Sequence, residues 1–231
     1  SGTAAIFLAL KSLEIGHGDE VIVPDMTFIA TANAVSLCGA KPVLTDVETE
    51  KINICIDAIK KNINKKTKTI MPVHVTGRAA DMDSIMQIAR DHNLFVVEDA
   101  AEAFTSKYKG KNLGTIGDLG CFSFSPNKTI TTGQGGAVVT NNEKLAVKIR
   151  KLKDQGRPVR GTGGDDIYDS IGYNFKFTNL QAALGLGQLN YLKTRTERMK
   201  EIYRIYSENL AGIKNLKIYP SEEGEVPQWT D

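Results

Sequence analysis

The sequence predicts an α/β fold, with a mainly parallel, doubly wound sheet and helices on both of its faces. Short apolar segments alternate with segments of helical periodicity through residues 1–152, as in proteins built from strand–helix–strand units. Residues 94–97 are almost continuously apolar, which is typical of a strand covered on both faces. A chain of 231 residues, of which 41% are hydrophobic, can form the core of one large α/β domain, or of one domain and part of another.

The chain opens with a helical pattern over residues 1–13, for which Ser1 or Thr3 is the expected N-cap. Amides at such a helix start attract anions, so a phosphate could bind at Gly2 and Thr3, although an ordinary capped helix is the alternative. A strand over residues 20–23 and a helix over 28–37 follow. Phe28 comes just after the carboxyl end of that strand, where an aromatic ring could cover a flat ligand or pack in the core.

The remaining elements continue the alternation. Further strands are predicted over residues 42–46, 69–75, 94–97, 120–125 and 136–140. Further helices are marked by the apolar groups Ile56/Ile59/Ile63, Met82/Ile85/Met86/Ala89 and Leu145/Ile149/Leu152. The acids Asp81 and Asp83 suit the positive end of the second of these helices, so they are interpreted as caps. Residues 157–166 are Gly-rich and polar, which predicts a mobile loop.

A long helical pattern from Thr178 towards Leu210 suggests a connection that leaves the large domain. We therefore predict a large domain over residues 1–192. Residues 193–231 would form the connecting helix and the start of a small C-terminal domain. Because the chain begins at Ser1 inside a helical pattern, we also expect that an N-terminal segment and most of the small domain are missing.

Composition excludes several classes of protein. A net charge of +2 gives no basic field for nucleic acid, and no apolar run approaches the length of about 18 residues that a membrane helix requires. The three cysteines form no CxxC pair and the three histidines are isolated, so neither a disulfide scaffold nor a metal site is expected, and a cytoplasmic location is favoured. The GxGxxG, GxxxxGK[ST] and GxSxG motifs are absent from the sequence.

One stretch carries the chemistry. A buried-looking strand ends at Glu98 and Asp99, and a second apolar strand leads through Ser123 and Ser125 to Lys128. An acid at a strand end and an amine beyond the neighbouring strand suit a site at the carboxyl edge of the sheet. Our interpretation is that Lys128 carries pyridoxal phosphate as a Schiff base while Asp99 faces the pyridine nitrogen. Taken singly, however, such an Asp is usually a cap and such a Lys a surface charge.

Four motifs, in a fixed order, strengthen that interpretation. The segments SGTAA (1–5), EDAAEA (98–103), SFSPNK (123–128) and GYNF (172–175) resemble the DegT/DnrJ/EryC1/StrS family of nucleotide-sugar aminotransferases. The resemblance extends from residue 1 to about residue 192 and implies the type I fold of pyridoxal-phosphate-dependent transferases. Within the family, the stretches EDAAEAF, NKTITTG and GYNFKFTN resemble perosamine synthases, which aminate C4 of a GDP-linked keto-deoxy sugar.

The resemblance implies a role for each matching residue. Lys128 matches the Schiff-base lysine, Asp99 the acid at the pyridine nitrogen, and Glu102 the position next to the ring hydroxyl. The other matches are an aromatic that stacks on the cofactor and a set of phosphate-binding positions, namely Phe28 and Gly2/Thr3/Ser123. Asn174 matches an asparagine that reaches the phosphate bound by a neighbouring subunit, which implies a homodimer with shared sites.

Two positions depart from the family pattern. Glu102 stands where many members have Gln, which would change how the ring hydroxyl is held. Gln134 stands where many members have Glu, and the sequence offers no explanation for it.

The resemblance implies an aminotransferase that uses L-glutamate and a nucleotide-linked ketosugar to make an aminodeoxy sugar for a polysaccharide or related glycan. One rival interpretation is a pyridoxamine-dependent sugar dehydratase, but relatives of that kind have His at the position of Lys128. Two rivals come from different classes of protein. They are a non-catalytic regulatory or binding protein with this fold and a plain nucleotide-binding domain.

Overall fold

The computed structural model describes residues 1–158, 168 and 170–228. A six-stranded sheet forms its centre, in the order β2-β1-β3-β4-β7-β8, and a separate hairpin is formed by β5 and β6. In chain order the strands are β1 (Glu20–Pro24), β2 (Lys41–Thr45), β3 (Thr67–Ile70), β4 (Phe95–Asp99), β5 (Lys107–Tyr108), β6 (Lys111–Asn112), β7 (Leu119–Ser123) and β8 (Gly136–Val139). Strands β1, β2, β3, β4 and β7 pair in parallel, and β8 is antiparallel to β7, which confirms the predicted fold class.

Helices follow most of the strands, as the alternating pattern predicts. They are α1 (Gly2–Ser12), α2 (Ala30–Leu37), α3 (Ile56–Asn62), α4 (Met82–His92), α5 (Glu143–Leu152), α6 (Asn179–Leu189) and α7 (Leu192–Asn209). Side chains cap several of them: Ser1 accepts the amide of Ala4, and Asp81 accepts the amide of Ser84. The sequence predicts both residues as caps, and the structure confirms them.

The core lies on both faces of the sheet. In β4, Val97 packs with α1 and α2 on one face, while Val96 packs with α3 and α4 on the other. Successive side chains of a strand point to opposite faces, so a strand covered on both sides needs apolar residues at consecutive positions. This explains why residues 94–97 are almost continuously apolar.

Some element boundaries differ from the prediction. Strand β3 ends at Ile70, and the chain passes through Pro72 into a short 3-10 turn at Val75–Gly77, because proline has no N–H to continue the ladder. The predicted single helix after Thr178 is two helices with a break at Asn190, in a segment whose Gly and Asn residues favour helix weakly. Helix α2 begins at Ala30, so Phe28 precedes it.

The chain after α7 returns to the sheet domain. The amide of Lys107 donates to Gly224 O, and the amide of Gln228 donates to Thr76 O. The predicted division of the chain near residue 192 stays a prediction, and residues 159–166 of the predicted mobile loop lie outside the described residues. Among the described helices, none has the length and apolar character needed to cross a membrane.

The parallel strands bring three predicted site segments to one edge of the sheet. Asp99 ends β4, Ser123 ends the neighbouring strand β7, and Phe28 follows the end of β1. This edge is where open α/β sheets bind ligands.

Candidate functional site

Asp99 lies at the centre of this edge and is buried, with 5% of its surface exposed. Its Oδ2 accepts a hydrogen bond of 2.7 Å from the hydroxyl of Thr31, in α2, and its Oδ1 accepts one of 3.1 Å from the amide of Ala101. Within the described residues, no Lys or Arg nitrogen lies within ion-pair distance of this carboxylate. Two hydrogen bonds therefore fix the orientation of an acid that has no cationic side chain against it.

Burial raises the pKa of Asp99 above its ordinary value, and the nearby negative charge of Glu102 raises it further. The hydrogen bonds from Thr31 and Ala101 act in the opposite direction, as does His74, but they do not outweigh burial. A buried carboxylate becomes more stable when a positive charge is placed next to it. The site is therefore suited to a ligand that presents a protonated group to Asp99.

Lys128 lies on the connection between β7 and β8, and its Nζ is 3.2 Å from Oε1 of Glu102. Only 14% of the Lys128 side chain and 17% of the Glu102 side chain are exposed. The second carboxylate oxygen of Glu102 accepts the amide of Thr76 at 2.9 Å. The pair thus joins the connection that carries Lys128 to the turn after β3.

The turn that supports Glu102 has an unusual backbone. Thr76 has φ 50° and Gly77 has φ 85°, both in the left-handed region. A Cβ on Gly77 would lie 2.1 Å from the carbonyl oxygen of Val226, so this position has no room for a side chain. The C-terminal segment, through Val226 and Gln228, therefore packs directly against the turn that holds Glu102.

Glu98 and Asp99 are consecutive in β4 and have different surroundings. The carboxylate of Glu98 is fully buried and accepts hydrogen bonds from the amides of Gly114, Ile116 and Gly117, and from Nε2 of His74. Burial alone would raise the pKa of Glu98, but these hydrogen bonds outweigh it and hold the pKa below its ordinary value. Glu98 therefore fastens the segment before β7 beneath the site.

The predicted phosphate-binding residues lie together. A Cβ on Gly2 would be 2.9 Å from Cβ of Ser123, so only glycine allows the start of α1 to approach the end of β7 so closely. The hydroxyl of Ser1 takes the amide of Ala4, whereas the amides of Gly2 and Thr3 have no protein acceptor among the described residues. These amides and the Ser123 hydroxyl are suited to an anion at the positive end of α1.

Phe28 is 74% exposed, so it does not pack in the core, which removes one of the two interpretations offered by the sequence. Its carbonyl oxygen accepts the amide of Thr31, the residue whose side chain holds Asp99. The ring therefore stands on the segment next to Asp99, in a position open to a ligand.

Asn174 is the predicted residue that the structure does not bring to Lys128. It is exposed, and its backbone pairs with Asp154 after α5. It lines a cavity of about 590 Å³ between α1, β8 and α5, together with Ser1 and Gln134, and neither Asp99 nor Lys128 lines that cavity. Within one chain, Asn174 therefore belongs to a different surface.

Sequence reasoning missed two partners of the predicted acids. Thr31 lies in a helix rich in β-branched residues, and nothing local marks it as the partner of Asp99. His74 is isolated in sequence, yet it is fully buried against Glu98. The one available signal is a pair of consecutive acids at the end of a buried strand, since alternation sends them to opposite faces and each then needs its own partners.

Comparison with known proteins bears on the whole chain. The model of the DegT/DnrJ/EryC1/StrS aminotransferase family matches residues 1–230. Two curated proteins named GDP-perosamine synthase are similar: that of Escherichia coli O157:H7 is 47% identical over 92% of this chain and 58% of its own length, and that of Caulobacter vibrioides is 45% identical over 93% and 57%. The chain thus spans somewhat more than half the length of these relatives.

Solved structures show the same fold. DesV of S. venezuelae superposes with a TM-score of 0.91 at 35% identity, covering 98% of this chain and 60% of DesV. NtdA of Bacillus subtilis, solved with bound cofactor PMP, gives 0.88 at 35% identity, covering 98% of this chain and 52% of NtdA. These matches confirm the predicted family, the predicted type I fold and pyridoxal phosphate as the cofactor.

Proposed function

Because the chain belongs to the DegT/DnrJ/EryC1/StrS aminotransferase family, we propose that it provides the pyridoxal-phosphate site of an enzyme that transfers the amino group of L-glutamate to a nucleotide-linked keto-deoxy sugar. The product would be an aminodeoxy sugar for a polysaccharide or related glycan. The names of the two curated relatives support a GDP-linked sugar as the acceptor.

The burial of Asp99 is the observation that carries this proposal. Its carboxylate is oriented by Thr31 and Ala101 and, among the described residues, has no cationic side chain within ion-pair distance. A protonated pyridine nitrogen would supply the missing positive charge, through a charge-assisted hydrogen bond. The residues at the sheet edge therefore fit the cofactor: an acid for its ring nitrogen, an amine for its aldehyde and a helix start for its phosphate.

When bound, pyridoxal phosphate supplies an electron sink that stabilises negative charge at the amino-acid Cα. Asp99 would hold a proton on the pyridine nitrogen and so strengthen that sink. Lys128 would bind the aldehyde carbon covalently and, when displaced by the amino donor, its Nζ would move a proton to and from Cα. Glu102 would lie next to the ring hydroxyl.

Two further groups would position the cofactor. The amides of Gly2 and Thr3 and the hydroxyl of Ser123 would bind the phosphate, which the positive end of α1 favours. The exposed ring of Phe28 would stack on the pyridine face and exclude water from it.

A homodimer is part of the proposal. Helix α6 is mostly apolar, yet none of its residues is buried within the chain, and Leu180 and Leu186 are 84% and 67% exposed. Apolar surface of this kind is typical of an interface, and a second copy of the same chain is the partner that would also bring Asn174 to a neighbouring phosphate. The residues Cys38, Cys55 and Cys121 are free thiols, which supports a cytoplasmic location.

Borohydride reduction tests the central claim. The purified protein, supplied with pyridoxal phosphate, should be yellow, and reduction should fix the cofactor on the peptide that contains Lys128. Lys128→Ala should abolish the label, and Lys128→Arg, which keeps a positive charge beside Glu102, should abolish it without disturbing the fold. Lys148→Ala is the matched control, because Lys148 forms an ion pair with Glu14 away from the site.

Each outcome separates the aminotransferase from its rivals. Amination of a keto-sugar nucleotide with glutamate as donor, detected by mass, supports the aminotransferase. Loss of a hydroxyl group from the sugar without amination would indicate the dehydratase. A colourless protein that takes up no label would indicate a binding or regulatory protein with the same fold.

A further inference from the structure

Lys128 differs from the other lysines that form ion pairs in the described part of the chain. Its side chain is 14% exposed, whereas the next least exposed, that of Lys148, is 37% exposed. Ion pairs that are shielded from water interact more strongly than those at the surface, because the local dielectric constant is lower. The charge of Lys128 is therefore more sensitive to its partner than that of any other ion-paired lysine described.

The partner, Glu102, is fixed in orientation. One of its carboxylate oxygens accepts the amide of Thr76 at 2.9 Å, and the other lies 3.2 Å from Nζ of Lys128. The turn that supplies the Thr76 amide is in turn fastened by Gln228, whose amide donates to Thr76 O. Glu102 therefore does not need to lose freedom in order to face Lys128, since the backbone contact already orients it.

A second acid makes the environment more negative. Asp99 lies near enough for the charge of Glu102 to act on it, and Asp99 itself has no cationic side chain within ion-pair distance among the described residues. With both acids ionised, the site holds two negative charges and one amine. This arrangement favours the ammonium form of Lys128 over the neutral amine.

We propose that Glu102 is a positioning residue that holds Lys128 as an ammonium ion while the site contains no cofactor. The inference deepens the proposed function, since it assigns a resting state to the amine that would bind the aldehyde. An ammonium ion has no lone pair, so it cannot attack a carbonyl carbon. The step controlled by Glu102 is the transfer of one proton from Nζ to water: the electrons of the N–H bond stay on nitrogen, and no oxidant or reductant takes part.

The substitution Glu102→Gln separates charge from shape. A glutamine side-chain oxygen can still accept the amide of Thr76, and the side chain has nearly the same volume, but the negative charge is gone. Loss of an opposite charge at this distance should move the midpoint of a pH profile for acylation of Lys128 down by about one pH unit. At a pH well below that midpoint, acylation of Lys128 should then be about tenfold faster.

The experiment is competitive labelling of the cofactor-free protein with acetic anhydride over a range of pH, followed by mass spectrometry of the peptide that contains residue 128. The expected result is a lower midpoint of the pH profile for Glu102→Gln and an unchanged plateau. Glu14→Gln, which removes the partner of the more exposed Lys148, is the matched control and should leave the Lys128 profile unchanged. Lys148 also serves as an internal reference in every sample.

Two results would overturn the inference. One is a Lys128 midpoint that is the same in Glu102→Gln and in the unmodified protein. The other is a higher plateau with an unmoved midpoint, because a loosened fold exposes the amine without changing its proton affinity. The labelling uses no cofactor, so it is independent of the borohydride test: trapping without a shifted midpoint would contradict this inference alone, and a shifted midpoint without trapping would contradict the proposed function alone.

Discussion

The hydroxyl of Thr31 donates a hydrogen bond of 2.7 Å to Oδ2 of Asp99 and so joins α2 to the end of β4 across 68 positions of sequence. The contact does two things at once. It satisfies one oxygen of a buried carboxylate, and it fixes the direction in which that carboxylate points. The position of α2, which also follows Phe28, is thereby linked to the acid at the centre of the site.

Thr31→Val should impair catalysis more than folding. Valine has nearly the same shape but cannot donate, so Asp99 loses an orienting contact while the packing of α2 is kept. We expect turnover to fall by about tenfold to a hundredfold if the carboxylate is displaced by as much as about 1 Å. The unfolding free energy should fall by about 1–3 kcal/mol. Steady-state kinetics and urea unfolding measure the two effects.

Thr27→Val is the control for that substitution, because the Thr27 hydroxyl lies 2.8 Å from that of Thr31 but makes no described contact with Asp99. Turnover in Thr27→Val should be close to that of the unmodified protein. Equal losses in the two variants would show that the Thr31–Asp99 hydrogen bond has no special role.

Asp99→Asn should change how the stability of the cofactor-free protein depends on pH. Burial raises the pKa of Asp99, so the folded state binds its proton more tightly than the unfolded state does. The resulting stabilisation is complete below the unfolded pKa of about 3.9 and is lost as the pH rises through the folded pKa. Asparagine does not titrate, so the stability of the variant relative to the unmodified protein should increase from about pH 4 to about pH 8.

Urea unfolding at several pH values in that range measures the difference. Parallel pH profiles for the two proteins would contradict the prediction. Amination activity should be lost in the same variant, so that a gain in stability at neutral pH accompanies a loss of function.

Glu98→Gln should be strongly destabilising. The carboxylate of Glu98 accepts three backbone amides and Nε2 of His74, whereas a glutamine would turn an NH₂ group towards some of these donors. We expect a loss of about 3–5 kcal/mol in unfolding free energy at neutral pH. Glu143→Gln, at an exposed position in the first turn of α5, is the control and should change stability by less than about 1 kcal/mol.

The sign of the pH dependence for Glu98 is opposite to that for Asp99. Its pKa is depressed in the folded state, so its stabilisation is present above the unfolded pKa and is lost as the pH falls through the folded pKa. The gap between Glu98→Gln and the unmodified protein should therefore narrow as the pH is lowered towards about 3. A gap that stays constant would show that packing, not charge, accounts for the loss.

Leu186→Glu should disrupt the proposed homodimer. Leu186 is 67% exposed on the apolar surface of α6, and a charge placed in an interface between two identical helices is repeated in the partner. Size-exclusion chromatography with light scattering should show a shift from dimer to monomer. Leu44→Glu, at a residue that is 61% exposed on β2, is the matched control and should remain dimeric.

Particular residues show what the sequence could and could not predict. The strand ends at Asp99 and Ser123 and the helix start at Gly2 follow from local apolar periodicity and from glycine and serine patterns, so the edge of the sheet could be outlined in advance. The contacts of Thr31 with Asp99 and of His74 with Glu98 could not, because they depend on the order of strands in the sheet. The hairpin of β5 and β6 was also missed, since its strands are only two residues long, which is too short for a periodic pattern.

The antiparallel pairing of β7 and β8 determines how Lys128 is tethered. Because β8 reverses direction, the twelve-residue connection over 124–135 leaves and rejoins the sheet at the same rim, and both of its anchors are neighbours in the sheet. A parallel continuation would have forced the chain to travel to the opposite rim. The lysine thus lies on a short bight of chain above a rigid base, so it can swing towards or away from a ligand while every strand below stays in register.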